Sequence, residues 1–208
     1  MRKDNYLCFV KFFLTLFTII LIPIYWYYYG VQNFLWLSDI GLFLTVIGLW
    51  FNSRLLLSMA AVGVLAVELA WNIDFFALIF NINLIYLAHY MFDSTYPIFL
   101  RVLSSFHIIN PLVWIWYLAH SGYDKRAFYY FTVLYWIVLI VTYLFTHPKK
   151  NINWAFLPQV YAIPHISPLA WVIFLFICFP LLVFLPTHYV CKKIFKDVNQ
   201  ASSNQDNR

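Results

Sequence analysis

The sequence predicts an all-α protein, a polytopic bundle of six transmembrane helices. Three observations predict it. Of the 208 residues, 64% are hydrophobic and 10% charged, against roughly 45–50% and 25% in soluble domains. A soluble fold that rich in apolar side chains would leave large apolar patches in water. The apolar residues also fall in six runs close to the ~20 residues a helix needs to cross hydrocarbon. Finally, aromatic residues make up 23% of the chain. Many of the Trp and Tyr residues lie near run ends, where amphipathic rings favour the headgroup layer.

The first run, 9–29, follows Met1-Arg2-Lys3-Asp4 and reaches Tyr25-Trp26-Tyr27-Tyr28-Tyr29 with no small-residue cleavage site. A secretion signal has an apolar core of only about 7–15 residues, so a retained span is expected. Gly30-Val31-Gln32-Asn33 turns the chain into the second run, 33–51, and Asn52-Ser53-Arg54 into the third, 55–74. Gly41 and Gly48, seven apart, mark one close helix contact on the second. Spans 99–119 and 127–146 are joined by Ser121-Gly122-Tyr123-Asp124-Lys125-Arg126, and the sixth span is 168–190.

Two stretches resist this scheme. Segment 75–97 starts apolar and then carries Asn81, Asn83, His89 and Asp93, so it reads as a re-entrant or interfacial piece, or as a seventh span. Segment 147–168 holds Pro148, Pro158, Pro164 and Pro168 and cannot be one regular helix. It is expected to form an outer cap loop anchored by Trp154 and Phe156. Residues 1–196 then make a single transmembrane domain, and 197–208 a disordered cytoplasmic tail.

Charge decides between six spans and seven. With six, Arg2, Lys3, Lys11, Arg54, Lys125, Arg126, Lys192, Lys193, Lys196 and Arg208 share one side, and Arg101, Lys149 and Lys150 the other. A seventh span would split them almost evenly. The positive-inside rule therefore favours a multi-pass protein with six spans and both termini cytoplasmic.

Asp39, Glu68 and His107 lie inside three of these apolar runs. An ionised group there costs ~2.5–3.5 kcal/mol or more, so such residues face a protein interior. Counting along each helix puts all three at one level, roughly 9–12 Å from the outer end at 1.5 Å per residue. Glu68 and Asn72 share a helix face, as do Ser104, His107 and Asn110. Pro111 strips the His107 carbonyl of its helical donor, leaving that carbonyl and Asn110 to bind water or substrate. Tyr143 falls near the same layer.

One reading makes this a catalytic pocket. His107 is the general base, since an imidazole titrates near neutrality, and Asp39 or Glu68 orients it. Ser104 or Ser38 supplies a nucleophile. Asn72, Arg101, Asn110, Tyr143, Asn153 and Trp154 are the candidate substrate-binding residues, Arg101 either meeting an anionic group or pairing with Asp93 or Asp74. A second version has Asp39, Glu68 and His107 ligating a metal, but histidine pair spacing is missing, so no metal site is assigned. The third reading is that the polar groups only bond one another and pin the helices.

The net charge of +5 comes from short clusters beside apolar runs rather than a basic stripe, which excludes nucleic acid as a partner. Cys8, Cys178 and Cys191 form no disulfide framework; Cys178 is expected to be buried, with Cys8 and Cys191 near the boundary as inert thiols or acylation sites. No internal repeat and no Gly-xxx-Gly face appear, which argues against a two-halved transporter.

Asn33-Phe34-Leu35-Trp36-Leu37-Ser38-Asp39, Tyr90-Met91-Phe92-Asp93 and Leu100-Arg101-Val102-Leu103-Ser104-Ser105-Phe106-His107 resemble a family of uncharacterised polytopic membrane proteins. Gly122-Tyr123-Asp124-Lys125-Arg126-Ala127 and Asn151-Ile152-Asn153-Trp154 continue the likeness. That family brings no activity with it. Six spans, cytoplasmic ends and a histidine on span four are also similar in architecture to the androgen-induced/ADTRP-type lipid hydrolases. That similarity implies a catalytic role for His107, with Asp39 or Thr45 nearest the place of their nucleophilic threonine. The expected function is a lipid-directed hydrolase or transferase with its pocket near the outer leaflet, acting on a lipid-like or small apolar substrate. The alternative is a non-enzymatic membrane protein or complex subunit. Membrane lipid is the expected partner; the residues specify no cofactor and no oligomeric state.

Overall fold

The computed structural model describes residues 2–156 and 166–195, with side chains from Asn5 onward. The rest of the expected cap, 157–165, and the expected tail lie outside the described residues. Every regular element described is helical: α1 (Arg2–Tyr29), α2 (Leu37–Trp50), α3 (Arg54–Ile79), α4 (Ile98–Leu103), α5 (Phe106–Ser121), α6 (Ala127–Phe145), α7 (Pro168–Phe179) and α8 (Leu185–Ile194). Hydrocarbon offers no partner to a backbone N–H or C=O, and a helix satisfies both internally. Five stretches are long and apolar enough to cross a membrane: Asn5–Tyr29, Arg54–Ile79, Ile98–Ser121, Ala127–Phe145 and Pro168–Ile194. Their outer faces expose Leu16, Ile19, Val133, Ile137, Leu144 and Leu182, an exterior compatible with an integral, multi-pass membrane protein.

The expected second span departs from the length rule. It divides into a 3-10 turn, Val31–Leu35, and α2, whose 14 residues reach roughly 21 Å, short of the ~30 Å hydrocarbon core. Trp36, in extended conformation (φ −58°, ψ 136°), separates the two. The third span runs five residues past its expected end, so Phe75–Ile79 belong to α3 and not to a separate re-entrant piece. Nothing in that stretch breaks a helix until Asn81, which takes a left-handed φ of 59°. The remainder of 75–97 contains only the 3-10 turn His89–Met91 and no crossing helix. The Asp74 carboxylate tethers it, accepting from the backbone N–H of Ile85 (2.9 Å) and of Ala88 (2.8 Å).

The fourth span breaks between α4 and α5 at Ser104-Ser105. The last span runs to Ile194, and its two helices join through a π turn, Pro180–Phe184. Pro180 and Pro186 each lack an N–H, and the helix widens between them.

α3 is the centre of the bundle. Residues 57–65 are buried on all sides, and the helix packs against α2, α5, α6 and α8. Small side chains at Ala60, Ala61 and Gly63 permit that close approach. Gly41 lies against Trp114 and Val64, and Gly48 against Leu56 and Leu57, so the expected glycine contact is α2 on α3. Wholly buried Trp114 donates its indole N–H to Thr45 Oγ1 (2.6 Å), and Thr45 donates to the Gly41 carbonyl (2.6 Å). α1 contributes one buried stripe, Leu14, Thr18, Leu21 and Tyr25, at the three- and four-residue spacing of a single helix face.

Contacts sort the two ends of the bundle. Lys11 donates to Asn52 Oδ1 (2.9 Å), the Asp124 N–H donates to Ser58 Oγ (2.9 Å), and the Tyr123 N–H donates to the Phe195 carbonyl (3.2 Å). Lys11, Arg54, Lys125, Arg126, Lys192 and Lys193 therefore gather at one end, away from Arg101, Lys149 and Lys150. Arg126 donates to both oxygens of Asp124 (3.1 and 2.8 Å) and holds that carboxyl below the usual carboxylate range. Cys191 is buried, which removes it as an acylation site; Cys178 is half-buried and Cys8 exposed.

Candidate functional site

The opposite end holds a cavity of about 400 Å³ whose walls include Asp39, Glu68, Ser104, His107, Asn153 and Trp154. α2 presents Asp39, α3 presents Glu68 and Trp71, the break between α4 and α5 presents Ser104, and the first turn of α5 presents His107. The ring nitrogen Nδ1 of His107 lies 2.7 Å from Glu68 Oε2. Glu68 is buried to 1% exposure and the His107 side chain retains 14%. The imidazole is clamped between Trp71 (centroids 4.7 Å apart, 21°) and Phe106 (4.3 Å, 27°). Its rotation is therefore blocked on both faces.

Pro111 does free the His107 carbonyl, but no ligand is needed to satisfy it. Asn72 Nδ2 donates to that carbonyl (2.7 Å) and to the carbonyl of Glu68 (2.7 Å). One amide thus straps α3 to α5 behind the Glu68–His107 pair, a bracing position rather than a substrate contact. Asn110 lies outside the cavity wall, wholly buried, with both amide atoms unpaired among the described residues. Tyr143 stacks on Phe156 (5.5 Å) away from the cavity.

Three further expectations are corrected. Arg101 makes no contact ion pair with Asp93 or Asp74, although its charge helps hold the Asp93 carboxyl below the usual range; its Nη1 donates to the Met91 carbonyl (3.1 Å), and it does not line the cavity. Ser104 shares its hydroxyl with Tyr25 OH (3.0 Å) and the Leu100 carbonyl (3.3 Å), and that hydroxyl makes no bond to the His107 ring. The Thr45 hydroxyl is consumed by Trp114 and Gly41. No hydroxyl side chain is thus aligned on the imidazole as a nucleophile among the described residues. Asp39, 2% exposed, leaves Oδ1 without a partner rather than bonding Ser38 or Asn33, and Glu68 Oε1 is likewise unpaired. No three His, Cys, Asp or Glu side chains among the described residues stand close enough to share a metal ion.

The cap reaches this site. Asn153, at a left-handed φ of 52°, accepts from the Leu37 N–H with Oδ1 (3.0 Å) and donates from Nδ2 to the Leu35 carbonyl (2.7 Å). The Trp154 ring meets Trp36 (6.0 Å) and Phe179 (6.2 Å), and the Trp154 carbonyl accepts from Trp171 Nε1 (2.8 Å). Asn153→Ala removes both amide bonds at the start of α2, at about 1 kcal/mol each. The expected result is a lower Tm in detergent and faster proteolysis near residues 147–156; an unchanged cleavage rate would show that the cap is held by its rings alone.

Tyrosines form the wall that sequence reasoning missed: Tyr25, Tyr29, Tyr86, Tyr90 and Tyr96. The aromatic run at 25–29 reads as an interfacial belt, yet only Trp26, Tyr27 and Tyr28 are well exposed. The available signal was spacing. Tyr25 continues the Leu14-Thr18-Leu21 stripe, and Tyr29 follows it by four residues. Trp71 follows Glu68 by three and shares its face.

No protein-family model, no curated protein and no solved structure matches the chain.

Proposed function

We propose that the cavity binds a lipid-like or small apolar substrate and that His107 acts on it as a general base, making the protein a membrane-embedded hydrolase or transferase. The observation that carries this reading is the 2.7 Å Glu68–His107 contact on the wall of a cavity with aromatic sides. With Glu68 ionised, Nδ1 bears the proton and donates to the carboxylate. Nε2, which has no partner among the described residues, keeps its lone pair. It takes the proton from a water or from a substrate hydroxyl whose oxygen attacks an acyl carbonyl, then returns that proton to the leaving oxygen. This route requires no side-chain nucleophile, consistent with the engagement of Ser104 and Thr45. The buried indole N–H of Trp71, a residue of the cavity wall, is the candidate donor to the substrate carbonyl.

The topology proposed with it has α2 and its preceding turn completing a sixth crossing. The lysine- and arginine-rich end, and with it both termini, faces the cytoplasm. The cavity then opens toward the outer leaflet. The architectural similarity to the ADTRP-type hydrolases points the same way.

One observation favours the structural alternative. Asn72 and the Glu68–His107 pair together make two bonds between α3 and α5, as a helix pin would. His107→Gln separates the two, since its amide can still donate to Glu68 but cannot take a proton. Purified protein in nanodiscs is assayed for acyl release or transfer from a panel of neutral lipid esters, with and without an acceptor alcohol. Turnover that falls ~10²–10⁴-fold in His107→Gln at nearly constant Tm is the expected result. No turnover across the panel, with Tm alone responding to substitution, would leave the helix pin as the role of the cluster.

A further inference from the structure

Resting on the reading of this cavity as a substrate site, we infer that it selects a ligand bearing an organic cation, an alkylated or primary ammonium carried on an apolar chain. Two carboxylates, Asp39 and Glu68, share the cavity wall, and each keeps one buried oxygen without a hydrogen-bond partner. No lysine or arginine lines the cavity, and the Glu68–His107 contact is the one ion pair that reaches it among the described residues. The single imidazole bonds Glu68 and leaves the Asp39 carboxyl with no basic partner. An ionised Asp39 is costly there without one, and a ligand cation offsets that cost.

The rest of the wall is what an ammonium group selects. Trp36, Trp71, Tyr25, Tyr29, Tyr90 and Tyr96 line the same cavity as the two carboxyl groups. The negative faces of such rings attract cations, most strongly where water is excluded, and aromatic cages of this kind bind quaternary ammonium groups. An anionic headgroup fits poorly: a phosphate or carboxylate would meet two carboxylates and no basic side chain but His107. The cavity's aromatic and aliphatic sides, Val64, Val67 and Leu87 among them, accept the alkyl chain. Two sources supply this chemistry, a lipophilic amine or the ammonium end of a zwitterionic phospholipid.

The test uses octyltrimethylammonium, the neutral isostere 2,2-dimethyldecane and octanoate, each titrated into full-length protein in nanodiscs of an uncharged lipid, digalactosyl diacylglycerol. Tryptophan fluorescence reads binding, since Trp36, Trp71 and Trp154 line the cavity. The cation is expected to bind at least ~10-fold more tightly than the neutral isostere, and octanoate not measurably. Asp39→Asn is expected to remove most of that preference. Equal affinity for cation and isostere, or tighter octanoate binding, overturns the inference on the wild-type protein alone, whether or not the variant folds. Repeating the titration in phosphatidylcholine nanodiscs separates the sources: weaker apparent affinity there marks competition by the lipid headgroup, and unchanged affinity marks a free amine as the ligand. Failure here is distinct from failure of the catalytic reading. Turnover of neutral esters without cation preference leaves the base intact and refutes the cation, and cation binding retained in a protein with no turnover does the reverse.

Discussion

Replacing Gly63 by leucine is expected to prevent the bundle from assembling, and Gly63→Ala to destabilise it by roughly 1–3 kcal/mol or more, the range for overpacked cores. A Cβ at this position would fall inside the ring of Phe131, contacting Cε1, Cζ and Cδ1. That ring cannot swing aside. Phe131 is wholly buried and meets Phe184 edge to face (5.2 Å), and Phe184 in turn meets Tyr135 (5.2 Å). Moving Phe131 therefore moves the contact between α6 and the π turn of the last span. The leucine variant should lose its monodisperse peak in size-exclusion chromatography, and the alanine variant should show a lower Tm. Adding Phe131→Leu to Gly63→Ala creates room for the methyl group and should recover part of the loss, a coupling that neither single change predicts. If Gly63→Ala is as stable as the parent, α3 and α6 are not packed this closely.

Gly63 also shows where the sequence stops being legible. Gly41 and Gly48 announce a contact by their seven-residue spacing, whereas a lone glycine among Ala60, Ala61 and Val64 carries no period, and its partner is 68 residues away. Five of the long helices follow from apolar length alone, because hydrocarbon leaves an apolar run no other backbone solution. The second expected span is not one unbroken helix, for a reason length cannot register: Trp36 is extended and the start of α2 is tied to Asn153, far along the chain. Within the site, the meeting of Glu68 with His107 follows from their shared depth, and the depth argument survives the extra five residues of α3. Which serine is free does not follow. Ser104 looks available until the Tyr25 hydroxyl, from the first helix, is placed 3.0 Å from it. Asn72 is the reverse case, since its stacking on Glu68 is local and legible while its bond to the His107 carbonyl depends on how α3 and α5 cross.

Removing the imidazole is expected to cost more stability than removing the charge it pairs with. His107→Ala leaves Glu68, 1% exposed and already lacking a partner at Oε1, with neither carboxylate oxygen bonded to a side chain. Breaking a buried pair from one side typically costs about 3–5 kcal/mol, because the surviving charge stays out of water. The alanine also deletes the ring that Trp71 and Phe106 clamp, adding a cavity. Glu68→Gln retains an acceptor for the Nδ1 proton and removes the charge, so it should cost less. Glu68→Leu with His107→Ala should be more stable than His107→Ala alone, since no buried carboxylate then remains. Thermal or chemical unfolding of the parent, Glu68→Leu, His107→Ala and the double variant in one detergent measures the cycle, and a coupling of ~0.5–3 kcal/mol is expected for side chains in contact. Under the catalytic reading all three variants lack turnover while their stabilities differ, so activity and Tm do not track each other. Additive stabilities across the cycle would mean that the 2.7 Å contact does not hold α3 to α5, leaving Asn72 as the strap between them.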